Sequence, residues 1–284
     1  MTWAVACVCL LCLLLSPSAS GWSNGGYSAD YEDPDYGTHD WIVDNALKLQ
    51  TRDVAFLSQT YHERFLLGTE APDNPDLIGD TFEHHVYYYS SGSVQEDDAA
   101  LRAASLYNSA LEDLISSQYS DAAYHIGIMS HYIADAGAFG HTMGVDTDWG
   151  AEVHHSDYED EVNSLVSSYT PEISTPLGQT DAYNSTLGLA RSITFGNGTI
   201  RSNVWMDQNY DWADADFADS ARASLVACIL ATASAINSLM VAVNAETPSE
   251  DEPIGDPWLL ILLSAMVASA TAIVAVVIRR LSRK

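Results

Sequence analysis

The sequence predicts an all-α domain followed by one membrane-crossing helix. Two observations point to it. Apolar residues recur at three- and four-residue spacing along most of the chain, and β-type alternation is almost absent, with VYYY at 86–89 the one short strand candidate. In addition, Trp258 to Ile278 is an uncharged apolar stretch of 21 residues, long enough to cross a hydrocarbon core at about 1.5 Å per residue.

The elements follow in order. Thr38 is placed to cap a helix through His39, Trp41, Ile42, Ala46 and Leu47, and a second helix is expected over 52–67. Residues 68–76, GTEAPDNPD, carry turn residues and read as a loop. Helices are expected over 97–117, 120–136 and 152–168. Residues 170–210, rich in Ser, Thr, Gly and Asn, read as irregular, and a long helix over 214–244 completes the bundle.

Both ends of the chain have a different character. Residues 1–21 hold a short apolar run followed by small residues, the pattern of a secretory signal peptide. Cleavage after Gly21 would make Trp22 the first residue, and cleavage after Ser20 satisfies the same small-residue rule. Residues 246–257 form an acidic, Pro-containing linker, up to ~40 Å when extended. After the expected span at 258–278 come Arg279, Arg280, Arg283 and Lys284, which by the positive-inside rule puts residues 279–284 in the cytoplasm and the domain at 22–245 outside, at the cell membrane. Of the four cysteines only Cys228 lies beyond the leader, so no disulfide is expected within the domain.

Charge narrows the function. All 39 acidic residues lie between Asp30 and Asp256, against 11 basic residues in the whole chain, for a formal net charge of -28. Nucleic acid is a disfavoured partner for such a surface, because phosphates are repelled.

Histidine and carboxylate residues supply the chemistry. His131 and Asp135 are spaced i, i+4 on one expected helix, His155 and Glu159 on the next, and His141 lies between them. Imidazole nitrogen and carboxylate oxygen one helical turn apart form half of a zinc site. Further candidates are His39 in THDWIVDNA, Asp73 in GTEAPD and His85 in EHHVYY.

In that order and spacing, with an N-terminal Trp22, the chain resembles the zinc-dependent phospholipase C family of bacterial phospholipases and the alpha-toxin catalytic domain. The single-strand-specific zinc nucleases share its fold. The resemblance covers about Trp22 to Ser167. The short interval from His141 to His155 and the terminal Glu159 are similar to the phospholipases rather than the nucleases. The resemblance implies a multi-helix bundle holding about three zinc ions. Trp22 and His39 would hold one; Asp73, His85 and His131 another, with Asp135 bridging; and His141, His155 and Glu159 the third. It also implies that Asp73 acts as general base in phospholipid hydrolysis to diacylglycerol, or an ether analogue, and a phosphorylated head group. His84 is the alternative to His85, Asp76 or Asp80 to Asp73, and His154 to His155. His62, His84, His125 and His154 otherwise read as solvated surface histidines. Two other readings of the same residues are a broader zinc phosphodiesterase or nuclease, and a non-catalytic, zinc-stabilised binding module.

Overall fold

The structure is a computed structural model that describes residues 36–50, 52–80, 82–173 and 177–246. The expected leader, Trp22, most of the linker, the 258–278 span and the basic tail lie outside the described residues. The compact unit runs to Val243; of the second unit, Asn244–Lys284, only the end of the last helix, to Glu246, is described.

Helices dominate, in the order α1 (Thr38–Lys48), α2 (Arg52–Thr60), α3 (His62–Glu70), a hairpin of β1 (Tyr87–Tyr88) and β2 (Val94–Glu96), α4 (Asp98–Ile115), α5 (Tyr119–Asp135), a 3-10 turn (Phe139–Thr142), α6 (His155–Val166), α7 (Ala182–Phe195), α8 (Asn203–Gln208) and α9 (Ala215–Glu246). The hairpin is antiparallel, pairing Tyr87 with Glu96 and Tyr88 with Val94.

The expected helix over 52–67 is two helices that meet at Tyr61, and α3 continues to Glu70, so the turn-rich loop starts later than its composition suggested. Helix α1 is capped by Gly37 rather than Thr38, with the Asp40 carboxylate accepting from the Gly37 N–H at 2.8 Å. Residues 170–210, expected to be irregular, hold α7 and α8. Composition misled there because the polar residues serve the helix. Asp181 caps α7 by accepting from the Asn184 N–H, while Thr186, Ser192 and Thr194 turn their hydroxyls back onto carbonyls one turn earlier. Leu189, Ala190 and Ile193 are left as its buried stripe.

Helix α5 is the axis of the bundle. From Ile126 to Asp135 every residue is buried, which needs neighbours on all sides. Helices α3 and α5 touch backbone to backbone. A Cβ on Gly127 would collide with the Phe65 carbonyl and the Gly68 Cα, and a Cβ on Gly68 with the Tyr124 carbonyl. Helix α9 packs at the C-terminal end of α5. By length and composition it passes as a membrane span, yet Phe217, Ala221, Leu225, Cys228, Ile229, Ala233, Ile236 and Leu239 are all fully buried. Their three- and four-residue spacing is that of a core helix. Two of its side chains serve the end of α5: the Ser224 hydroxyl donates to the Gly137 carbonyl at 2.5 Å and the Cys228 thiol to the Ala134 carbonyl at 3.6 Å. Ala134 stands in the last turn of α5, where carbonyls lack i+4 partners within the helix, and Gly137 lies two residues beyond its end.

The glycine contact makes a sign-reversing prediction. Gly188→Ala on α7, where a Cβ meets nothing within 4 Å, should stabilise by about 0.5–1 kcal/mol through helix propensity. Gly127→Ala should destabilise by about 1–3 kcal/mol, because the colliding atoms are backbone. Denaturant unfolding of the two variants beside the parent chain measures both.

Candidate metal centre

The C-terminal turns of α5 bring His131 and Asp135 into the protein interior, both with no exposed surface. Around them converge His39 from α1, Asp73 from the loop after α3 and His84 from the segment before β1. The His39 and His131 rings stack at 3.9 Å between centroids. Asp135 has three histidine neighbours: His39 Nε2 at 3.3 Å from Oδ1, and His84 Nδ1 at 2.6 Å and His131 Nε2 at 3.1 Å from Oδ2. Asp73 Oδ1 lies 3.7 Å from His131 Nε2 and 3.9 Å from His84 Nε2. A separate cluster forms where the 3-10 turn meets α6. There Glu159 Oε1 sits 2.8 Å from His155 Nε2 and 3.4 Å from His141 Nε2. Gly140 makes this possible, since a Cβ there would occupy the space of the His155 ring.

Three groups of donor atoms result, each with its atoms within 4.8 Å of one another: His39, Asp73 and His131; His84, His131 and Asp135; and His141, His155 and Glu159. Eight of the nine ligands expected from the sequence lie in the described part of the chain, and seven of them fall in these groups. The exception is His85. Its ring packs 5.1 Å from that of His141 and its Nδ1 is 3.4 Å from the Phe82 carbonyl, and the adjacent His84 takes the place among the donors. His84 is therefore not a solvated surface histidine but 3% exposed. The reason is local: the backbone before β1 turns His84 toward Asp135, leaving His85 beside Tyr87. The expected surface residues His62, His125 and His154 are only partly covered, and each faces a carboxylate, of Asp44, Asp113 and Asp157. Trp22 lies outside the described residues.

The remote nitrogen of four of these histidines is already engaged. His131 Nδ1 donates to the Thr69 carbonyl at 2.7 Å, His141 Nδ1 to the His84 carbonyl at 3.1 Å, and His84 Nε2 to the Asp80 carbonyl at 2.8 Å. His155 Nδ1 faces the Glu152 carboxylate at 3.4 Å. Such partners fix ring orientation and leave the other nitrogen free to bind a metal. Sequence reasoning missed Glu152, Thr69 and Asp80 in this role. Glu152, three residues before His155, was the one visible signal, since a backbone carbonyl leaves no trace in residue type.

The donor set fits a cation. Both nitrogens of His39, Nε2 of His141 and Oδ1 of Asp135 are buried and make no hydrogen bond, a costly arrangement without a partner. The ion-pair neighbours of Asp135 and Glu159 are all histidines, with no Lys or Arg among them. Burial lowers the pKa of His39 and holds that of His141 well below the ordinary value, keeping both neutral and able to donate a lone pair. Burial also acts against a proton on His84 and His155. The carboxylates of Asp135 and Asp73 nevertheless raise His84 to about 9, and Glu159 and Glu152 raise His155 to about 10. Burial works against ionisation of Asp135 too, but the charge of His131 and its hydrogen bond outweigh it and hold this carboxyl well below the usual range. Protons on His84 and His155 thus stand where a divalent cation would stand. Nitrogen and carboxylate oxygen in buried groups of three are the donors zinc takes.

The choice between adjacent histidines is testable. His84→Ala should lower zinc affinity by roughly tenfold or more, while His85→Ala should leave the zinc content unchanged. Elemental analysis of the two purified variants decides, and the reverse pattern would restore His85 as the ligand.

The zinc dependent phospholipase C family matches residues 38–215, more than half of the chain and the whole of the described cluster. No curated protein matches the sequence. Among solved structures, the alpha toxin from Clostridium absonum is 15% identical, with 78% of this chain and 68% of that chain covered and a TM-score of 0.55. The alpha-toxin of Clostridium perfringens isolated from avian strain SWCP is 16% identical, covering 80% and 68%, with a TM-score of 0.56. At such identity the likeness is one of fold. Fold and family agree with the buried donor groups, and the chain belongs to the zinc dependent phospholipase C family.

Proposed function

We propose that the protein hydrolyses the phosphodiester bond of glycerophospholipids, releasing diacylglycerol or an ether analogue and a phosphorylated head group. Its membership of a hydrolase family supports the reaction class. The observation that carries the reading is the convergence of three buried donor groups, two of which share His131.

Zinc, when bound, acidifies water and stabilises negative charge on phosphoryl oxygens. The rest is done by the chain. His39, Asp73, His84, His131 and Asp135 hold one part of the centre, and His141, His155 and Glu159 hold the other. Trp22, once freed at its amine by leader cleavage, is the further proposed ligand beside His39. Asp135 organises the first part because its two oxygens face different histidines. Asp73 is the most exposed of these carboxylates, at 9%, which suits it to take the proton of the attacking water. That water's oxygen bonds to phosphorus as the bond to the glycerol oxygen breaks, and the glycerol oxygen takes a proton from solvent water as it leaves.

A lipid substrate also accounts for the ends of the chain. The apolar 258–278 stretch, the acidic linker and the basic tail would tether an exterior domain close to a bilayer. The surplus of acidic residues disfavours polynucleotides relative to zwitterionic lipids.

Asp135→Asn should lose zinc and phosphatidylcholine turnover together, by roughly a hundredfold or more. Assays of the parent chain on phosphatidylcholine beside an oligonucleotide check the substrate class. Full activity with intact zinc in the variant, or a preference for the oligonucleotide, would contradict the proposal.

A further inference from the structure

Three large apolar side chains stand out as exposed in an acidic protein: Phe82 at 82%, Val145 at 80% and Val153 at 75%. They come from two separate loops that border the metal centre through His85, which packs on the donor His141, and through Glu152, which faces the donor His155. The Phe82 carbonyl faces His85 Nδ1 at 3.4 Å. Val153 follows Glu152, whose carboxylate faces His155 Nδ1. Val145 follows Gly144, which lies against the Tyr87 ring, and that ring is 5.4 Å from the ring of His85.

Their exposure is held in place. The Asp80 carboxylate accepts from the Phe82 and Glu83 N–H groups at 3.1 Å. Gly144 pairs with Gly150 across its loop, while Asp148 accepts from the Ser90 N–H and hydroxyl at 2.7 Å and Gln95 donates to the Asp146 carbonyl. The Val153 N–H donates to the Asp207 carboxylate at 2.8 Å. Fixing apolar side chains toward water has a standing cost unless something covers them.

The geometry points to Phe82, Val145 and Val153 as a docking rim that enters the surface of a zwitterionic lipid layer and sets the metal centre against it. The inference rests on the lipid reading above. Charge selects the lipid class. Glu83, Asp146 and Glu152 directly adjoin the three apolar residues, Asp148 lies in the same loop as Val145, and the nearby Arg102 is already paired with Asp80 and Glu83. An anionic surface would be repelled, whereas a phosphatidylcholine surface carries no net charge. Burial of exposed apolar side chains supplies the attraction.

The test uses full-length, zinc-loaded protein with phosphatidylcholine vesicles and hydroxyl-radical labelling of side chains. Phe82, Val145 and Val153 should lose labelling several-fold, and added phosphatidylserine should restore it. Phe56 and Tyr119, which pack together at the far end of α5, about 18 Å along its axis from His131, should be unaffected. Unchanged labelling at the rim, or equal protection of all five residues, overturns the proposal. In a second arm, combined Phe82→Ser, Val145→Ser and Val153→Ser should cut turnover of vesicular lipid by roughly tenfold or more, with monomeric short-chain phospholipid within about twofold of the parent. Equal loss on both substrates would mean a role inside the site and overturns docking. Labelling does not depend on turnover. An inactive parent chain would therefore refute the hydrolytic reading while the rim was still judged by protection.

Discussion

Asp135 is a carboxylate buried without exposure at the end of the central helix, with three histidines as its ion-pair neighbours and, among the described residues, no Lys or Arg paired with it. A group in that position is costly unless positive charge meets it. The surrounding architecture serves this demand. Helix α1 delivers His39, the loop after α3 delivers Asp73, the segment before β1 delivers His84, and α5 supplies His131 one turn before Asp135. The carboxylates around them raise His84 to about 9 and His155 to about 10, so both clusters favour added positive charge.

The packing that keeps these groups in place is equally specific. Gly68 and Gly127 let α3 and α5 approach until their backbones touch. One residue beyond Gly68, the Thr69 carbonyl then meets His131 Nδ1. At the C-terminal end of α5, α9 holds the Ala134 and Gly137 carbonyls through Cys228 and Ser224. Both contacts bear on the helix that carries Asp135 without touching a ligand. This is why long, apolar α9 belongs to the core of the domain.

Much of this was legible in the residues, and the reasons differ by feature. The i, i+4 pairs on α5 and α6 announced themselves because helical spacing converts directly into proximity. The helix α5 was visible in its apolar periodicity, and α9 in its length. By contrast, α7 was hidden by Ser and Thr residues that bond back to their own helix. Adjacent His84 and His85 could not be separated by spacing, because the local turn of the backbone decides which ring faces inward. The backbone carbonyls that orient His84, His131 and His141 have no signature in residue type at all.

The central claim is that the buried His, Asp and Glu groups are zinc sites built around Asp135. Diffraction data collected on either side of the zinc absorption edge, from crystals of the zinc-loaded full-length protein, test it most directly. Anomalous peaks are expected within coordination distance, about 2.0–2.2 Å, of Asp135 and its histidines, and another among His141, His155 and Glu159. Zinc found only elsewhere on the acidic surface, with Asp135 still paired to protonated histidines, would contradict it.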